Sequence, residues 1–444
     1  MRYRVAVAEE RLSRAWQALP PGTEVATSEG EQLRVVYPGR RNRGSGPDFL
    51  GAVLETREGE LRGAVEVHQR TSDWARHRHG ADREYAGVVL HVVGRDDGAT
   101  SRATGGRQLP LLELDPATSD ACASGSAALF PCASHPNSAP PLVQAGDERF
   151  DDNVTRLRRA LDAGADVDQL AYVEVAAALG YSRNVEPMRT LAEHAPLAAV
   201  RAAGTAPRAE ALLLGTAGLL PSQRHLPARR RRDAYAQTLE RLWPLLRRPA
   251  ALRAYQWDHA QSRPENSPVR RVAALARLAL AWPEASLAAA LRTHLNGPAA
   301  ARRLAELFTV PCSDGYWAAH WDFGVAARGA VGGAVEHAAG NRVPALVGPS
   351  RAADVVVNVL LPLAAALAER DLDSSLAGAA RTAYQSHPPL AENWITRLVR
   401  ERAALFDERA AARTAREQQG LIAVYERTCH ALRCADCVLG RRSP

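Results

Sequence analysis

The sequence predicts a mixed α/β domain, ordered helix, three strands, helix, strand, followed by a larger all-α domain. Three observations predict it. Short alternating or continuous apolar runs cluster before residue 118, and long Ala/Leu/Arg stretches with helical periodicity begin near Arg149. An Ala-, Ser- and Pro-rich segment from Pro116 to Asp147 lies between them. The divisions that follow are residues 1–118 for the α/β domain, 119–148 for a linker or crossover, 149–426 for the helical domain and 427–444 for a cysteine-rich tail.

The first helix is read over residues 9–19, where Leu12, Trp16 and Leu19 recur at helical intervals. Strands are predicted at Leu33 to Tyr37, Phe49 to Thr56 and Leu61 to Gln69, the last two joined by a turn at Arg57-Glu58-Gly59-Glu60. The His-rich stretch from Ser72 to Tyr85 is read as the second helix, with Ser72 as its N-cap. Gly87 to Val93 is a continuous apolar run, as in a strand buried on both faces, and Leu109 to Leu114 adds another. Beyond Arg149 the helical pattern breaks at Gly180, Pro207, Pro221, Pro249, Pro268, Pro298 and Gly340, with no fixed-period repeat.

A chain of 444 residues, 46% of them hydrophobic, can bury more than one core. No charge-free apolar run of spanning length stands out, and the N-terminus lacks the pattern of a signal peptide, so the expectation is a cytoplasmic protein without a membrane partner. The net charge is +7 and every basic residue of the Lys/Arg class is arginine, which a G+C-rich coding bias explains. Fifteen Arg face five acidic residues between Arg201 and Leu280, a local +10 that leaves −3 for the remainder. The run Arg229, Arg230, Arg231, Arg232, with Tyr235, Trp243, Tyr255 and Trp257 downstream, fits a phosphate-binding face with stacking platforms. Solvated helix faces in an arginine-rich chain explain it equally well.

The chemistry concentrates between Tyr37 and Val93. Alternation on a strand puts Glu66, His68 and Arg70 on one face and Val65 and Val67 on the other. Asp48 precedes Glu66 by one hairpin, which brings the two acids together. Two converging carboxylates repel unless a cation lies between them, and all-oxygen ligation suits Mg²⁺ or Mn²⁺. Asp73, Trp74, His77 and His79 follow as candidate nucleic-acid contacts. His77 and His79 do not face each other if both lie on a helix, which argues against joint ligation of a metal. His91 sits in an apolar run, where a satisfied core histidine is as good a reading as a functional one.

Pro47-Asp48, a hairpin, then Glu66-x-His68 within this element order resembles the PD-(D/E)xK nuclease superfamily. The resemblance implies Asp48 and Glu66 as ligands of Mg²⁺ or Mn²⁺, with the Val67 main-chain carbonyl as a further ligand. It also implies an auxiliary acid on the first helix, Glu9 or Glu10, with Glu10 carried forward. His68 stands where that superfamily has lysine; it is read as the general base, with Arg70 as the fixed positive charge. More of the chain is similar to the bacterial family known as domain of unknown function 2851. The similarity rests on Gly46-Pro47-Asp48-Phe49, Gly63-x-Val65-Glu66-Val67-His68, Ser72-Asp73-Trp74, His77-x-His79, Leu90-His91-Val92-Val93, Pro131-Cys132, Glu210-Ala211-Leu212-Leu213, Arg263-Pro264 and Asn358 with Pro362. That family implies no activity.

Cys429-x4-Cys434-x2-Cys437 supplies three ligand-spaced thiols, and Cys132 is the first choice for a fourth. Zn²⁺ is the simple reading. An iron–sulfur cluster is the sharper one, by similarity to DNA-processing nucleases of the superfamily with one remote and three C-terminal cysteines. In those the remote cysteine precedes the catalytic strands, whereas Cys132 follows them. Reduced thiols without metal are the plain alternative. Three functions are therefore carried: a metal-dependent nuclease acting on DNA or RNA, a non-catalytic nucleic-acid-binding protein with a degenerate nuclease fold, and a metal-stapled scaffold.

Overall fold

The structure is a computed structural model and describes residues 2–19, 22–42, 46–103, 106–115, 139–181, 183–246, 249–258, 266–297, 299–312, 315–327, 345–402, 413–430, 433 and 436–439. The chain divides into two compact units. One comprises Met1–Leu142, Glu392–Ala411 and Leu421–Pro444; the other comprises Val143–Ala391 and Ala412–Gly420. An N-terminal mixed-sheet region is thus followed by a helical region, as expected. The C-terminal segments, however, group with the sheet and not with the helices.

In the first unit, α1 (Arg2–Gln17) starts earlier than its apolar periodicity suggests. Leu12, Ala15, Trp16 and, just past its end, Leu19 form a buried stripe at helical spacing. The strands are β1 (Thr23–Ala26), β2 (Gln32–Tyr37), β3 (Arg40–Arg41), β4 (Phe49–Thr56), β5 (Gly59–Arg70), β6 (Val88–Arg95) and β7 (Leu111–Glu113). Their order in the sheet is β1-β2-β4-β5-β6-β7, with β3 also paired to β4. The first three neighbours along this path are antiparallel, whereas β5–β6 and β6–β7 are parallel.

Alternation along β5 holds as read. Val65 and Val67 join Leu12, Trp16, Phe49, Leu90 and Val92 in the core under α1. Ala64 joins a smaller cluster with Trp74, Val88, Ala103 and Leu109. The β4–β5 pairing carries one irregularity: Ala52 faces Gly63 but Phe49 faces Val65, so β4 holds one extra residue in between. Gly51 takes the bulge conformation, at φ +71°, a region that costs other residues strain.

The second helix is not continuous. Only α2 (Asp73–Arg76) is α-helical, followed by 3-10 turns at His79–Ala81 and Arg83–Tyr85. Arg78, at φ +61°, turns the chain left-handed between them. Ser72 does not cap α2 through its side chain; its hydroxyl donates to Asp97 at 2.5 Å. At the C-terminal end, His430 Nε2 meets Glu60 Oε2 at 3.0 Å, and the Arg62 guanidinium lies 4.3 Å from the Trp394 ring centre.

The second unit is helical. Of the expected linker 119–148, residues 119–138 lie outside the described residues; from Ala139 the chain is already in the helix Ala139–Asp162. The helix run Pro349–Asp371 is long and apolar enough to cross a membrane, although Arg351, Asp354, Glu369, Arg370 and Asp371 leave it no charge-free stretch of that length. Its most apolar window is 78% buried among the other helices, and a core position explains that apolarity. Buried carboxylates are bracketed by donors: Glu210 accepts from Trp317 Nε1 and Tyr235 Oη at 2.8 Å and from Arg277 Nε at 2.9 Å.

Candidate metal centre

The β4–β5 bulge sets the register of the two acids. One position beyond the Phe49–Val65 pair, Asp48 stands opposite Glu66. The Asp48 amide donates to Glu66 Oε2 at 2.9 Å, and the Val67 amide donates to Asp48 Oδ2 at 3.1 Å. Each carboxylate is therefore anchored by the strand that carries the other. Among the described residues no arginine makes an ion pair with Asp48 or Glu66. Burial, and then the Asp48 charge, push the Glu66 carboxyl up to about 9. Burial also raises Asp48, against the pull of the Val67 amide and Arg41.

The two candidate auxiliary acids, Glu9 and Glu10, differ in their surroundings. Glu10 is turned to Arg14 at 3.0 Å and Arg41 at 2.6 Å, which hold its carboxyl below the ordinary value despite some burial. Glu9 is raised by burial and then by the charges of Asp73 and Asp48, and its Oε1 is buried without a hydrogen bond. Register on a helix explains the difference, because adjacent residues point about 100° apart.

Glu66 has a second side. Its Oε1 lies 3.5 Å from His68 Nε2 and 3.4 Å from His79 Nε2. His68 Nε2 is also 3.1 Å from His77 Nδ1. Donor atoms of His68, His77 and His79 all lie within 4.8 Å of one another. The expectation that His77 and His79 diverge fails because it assumed a helix through both; the left-handed Arg78 folds the second ring back toward the first. Gly80 lets the turn approach closely, since a Cβ there would stand 2.8 Å from the Arg102 carbonyl. The same carbonyl accepts from Trp74 Nε1 at 2.9 Å, pinning α2 to the turn.

His91 is buried, as a core histidine would be, but it is also linked to the centre. Its Nε2 is 2.8 Å from His68 Nδ1, and its Nδ1 is 2.6 Å from Ser101 Oγ. Sequence reasoning missed Ser101 altogether, and nothing in the local sequence marks it. Burial, then the neighbouring imidazoles, hold His68 far below the usual histidine range, at about 2. Burial and His77 lower His79 to about 4, and burial and His79 lower His91 to about 3. A base that weak does little near neutral pH, so His68 is placed poorly for the general-base role expected of it. A neutral imidazole is, however, the form that ligates metals. The Tyr85 ring stacks on His79 with 3.7 Å between ring centres.

Other expected site residues fall elsewhere. Arg70 ends β5 exposed, and only its amide is engaged here, donating to Asp73 Oδ2 at 3.2 Å. Asp73 and Trp74 are each only 2% exposed, so they build the centre's floor and cannot meet a nucleic acid directly. In the helical unit Arg229, Arg231 and Arg232 are exposed, whereas Arg230 pairs with Asp322 at 2.6 Å and donates to the Phe323 carbonyl. Of the expected stacking platforms only Tyr255 is exposed; Trp257 is buried with its Nε1 on the Ala217 carbonyl, and Tyr235 is held by Glu210. Cys429 and Cys437 are buried, while Cys132 and Cys434 lie outside the described residues. His430, adjacent to Cys429, is engaged with Glu60.

No curated protein and no solved structure matches the chain. A family model described as protein of unknown function (DUF2851) matches residues 9–393, which takes in the sheet, both acids and all four histidines. The chain belongs to that family.

Proposed function

We propose that the chain is a metal-dependent phosphodiester hydrolase acting on DNA or RNA. The observation that carries the reading is the reciprocal anchoring of Asp48 and Glu66, which holds two carboxylates together with no ion-paired arginine among the described residues. Such a pair is costly to ionise in a buried place unless a cation joins it. The buried Glu9 oxygen without a hydrogen bond completes an all-oxygen donor set that fits Mg²⁺ or Mn²⁺. A helix against an antiparallel hairpin, followed by a parallel strand, supports the similarity to the PD-(D/E)xK nucleases.

A cation bound there would supply Lewis acidity toward a phosphoryl oxygen and acidify water. The chain's own residues have defined tasks. Asp48, Glu66 and Glu9 would hold the ion, and the main-chain amides of Asp48 and Val67 fix the Glu66 and Asp48 carboxylates in place. His77 is the exposed imidazole of the centre. Exposed Arg229, Arg231 and Arg232 offer phosphate-binding charge on the helical unit.

The test is cleavage of supercoiled plasmid, single-stranded DNA and RNA across divalent metals. Wild type should cut at least one form, and Asp48→Ala should abolish it while the chain stays folded. Absence of cleavage in every form and metal refutes the hydrolase. Salt-sensitive binding without cleavage would then favour a non-catalytic nucleic-acid-binding protein.

A further inference from the structure

We propose that His68, His77 and His79, with Glu66 Oε1, form a four-donor site for an imidazole-preferring transition ion of the Zn²⁺ class. The site lies next to the hard-cation site and shares Glu66 with it, but it does not depend on phosphodiester hydrolysis.

The donor spacing carries the proposal. An ion held at ~2.05 Å by four donors in a tetrahedron separates them by about 3.3 Å. Three separations fall there: 3.1 Å for His68–His77, 3.5 Å for His68–Glu66 and 3.4 Å for His79–Glu66. The remaining imidazole donors are within 4.8 Å, which small ring rotations close. Four donor atoms thus converge on one point, which a single ion would join. His79 Nε2 supplies the independent sign: its residue is 8% exposed, and this nitrogen is buried with no hydrogen bond.

The surroundings match what a ligating histidine needs. With Nε2 on the ion, His68 carries its proton on Nδ1 and donates to His91 Nε2; His91 then donates from Nδ1 to Ser101 Oγ. One tautomer assignment satisfies the whole chain, and it leaves the His68 Nε2 lone pair aimed at the site. Tyr85 stacked on His79, and Trp74 beside it, restrict the ring's rotation.

Glu66 divides its oxygens between two tasks. Oε2 faces the Asp48 amide and Oε1 faces the imidazoles. A carboxylate so placed can bridge two ions, as in two-metal hydrolytic centres. The imidazole side selects a softer ion than the oxygen side does.

Co²⁺ reconstitution of the full chain tests the proposal. Wild type should bind Co²⁺ with the intense visible bands of a four- or five-coordinate ion and no thiolate charge-transfer band, which separates this site from the cysteines. His77→Ala and His79→Ala should each weaken Co²⁺ binding by at least about tenfold, and His91→Ala by about 10–100-fold. His77 is exposed, so its variant should fold normally by circular dichroism. Asp48→Ala should keep the Co²⁺ spectrum, so loss of hydrolysis and loss of this site are read separately. A wild-type spectrum of thiolate ligation alone, or unchanged binding in folded His77→Ala, overturns the proposal.

Discussion

Asp48 faces Glu66 across the β4–β5 ladder because β4 holds one residue more than β5 between the Ala52–Gly63 and Phe49–Val65 pairs. Without that extra residue Asp48 would oppose Val67, whose side chain points under α1. The bulge thus decides whether the acids meet. Gly51→Val puts a β-branched side chain at φ +71° and should lower stability by about 1–3 kcal/mol, read by urea denaturation. It should also weaken Mn²⁺ binding; unchanged Mn²⁺ affinity in the folded variant would remove the bulge from this role.

Cation binding should release a proton. Glu66 is pushed up to about 9, so near neutral pH its carboxyl is protonated and an ion must displace the proton. Affinity for Mn²⁺ should therefore rise about tenfold per pH unit below that value and level off above it. Calorimetry in buffers of different ionisation enthalpy counts the proton, and Glu66→Gln should abolish the slope. For the ion-free protein the sign reverses. A carboxyl raised above its unfolded value of 4.5 binds a proton on folding, so this contribution to stability is full below that value and is lost toward pH 9.

Glu174 behaves in the opposite sense. Burial pushes its carboxyl up, but hydrogen bonds and charges from Arg156 at 2.7 Å and Arg189 at 2.9 Å together hold it below the ordinary value. Its stabilisation is present above the unfolded value of 4.5 and lost as pH falls through the lower folded one. Both arginines are partly solvated, so Glu174→Gln should cost only about 1 kcal/mol at neutral pH. Thermal melts of the two proteins should converge in acid.

Glu210 is a harsher case. It is fully buried and accepts from three side chains, Trp317, Tyr235 and Arg277. Glu210→Ala strands all three donors and should destabilise the helical unit by about 3–5 kcal/mol in chemical denaturation. A loss below about 1 kcal/mol would mean water replaces the carboxylate.

If nucleic acid binds the helical unit through Arg229, Arg231 and Arg232, replacing all three with Ala should reduce the log–log salt slope of binding by up to about 2.7. Arg230 is committed to Asp322 and the Phe323 carbonyl, so its loss should appear in the melting temperature instead.

The sheet was legible because strand alternation is a two-residue period: Val65 and Val67 against Glu66 and His68 left little choice of face. The acid pair followed from one hairpin. The bulge that aligns it was not legible, since a glycine in a strand marks many things. His77-x-His79 was misread because its polar composition resembles a helix, whereas the left-handed Arg78 depends on tertiary anchoring through Gly80 and Trp74. Choosing between Glu9 and Glu10 needed the helix's rotation about its axis, which apolar spacing fixes only loosely. The aromatic residues near the arginine run looked like platforms because exposure cannot be read from residue type alone.

The sheet-bearing unit is assembled from pieces that flank Val143–Ala391 in the chain, with His430 on Glu60 and Trp394 on Arg62. During synthesis the early strands must therefore wait for the helical segment to be made before their last partners arrive. A fragment stopped near residue 118 should be prone to aggregation, and the helical unit too closes only when Ala412–Gly420 has been made.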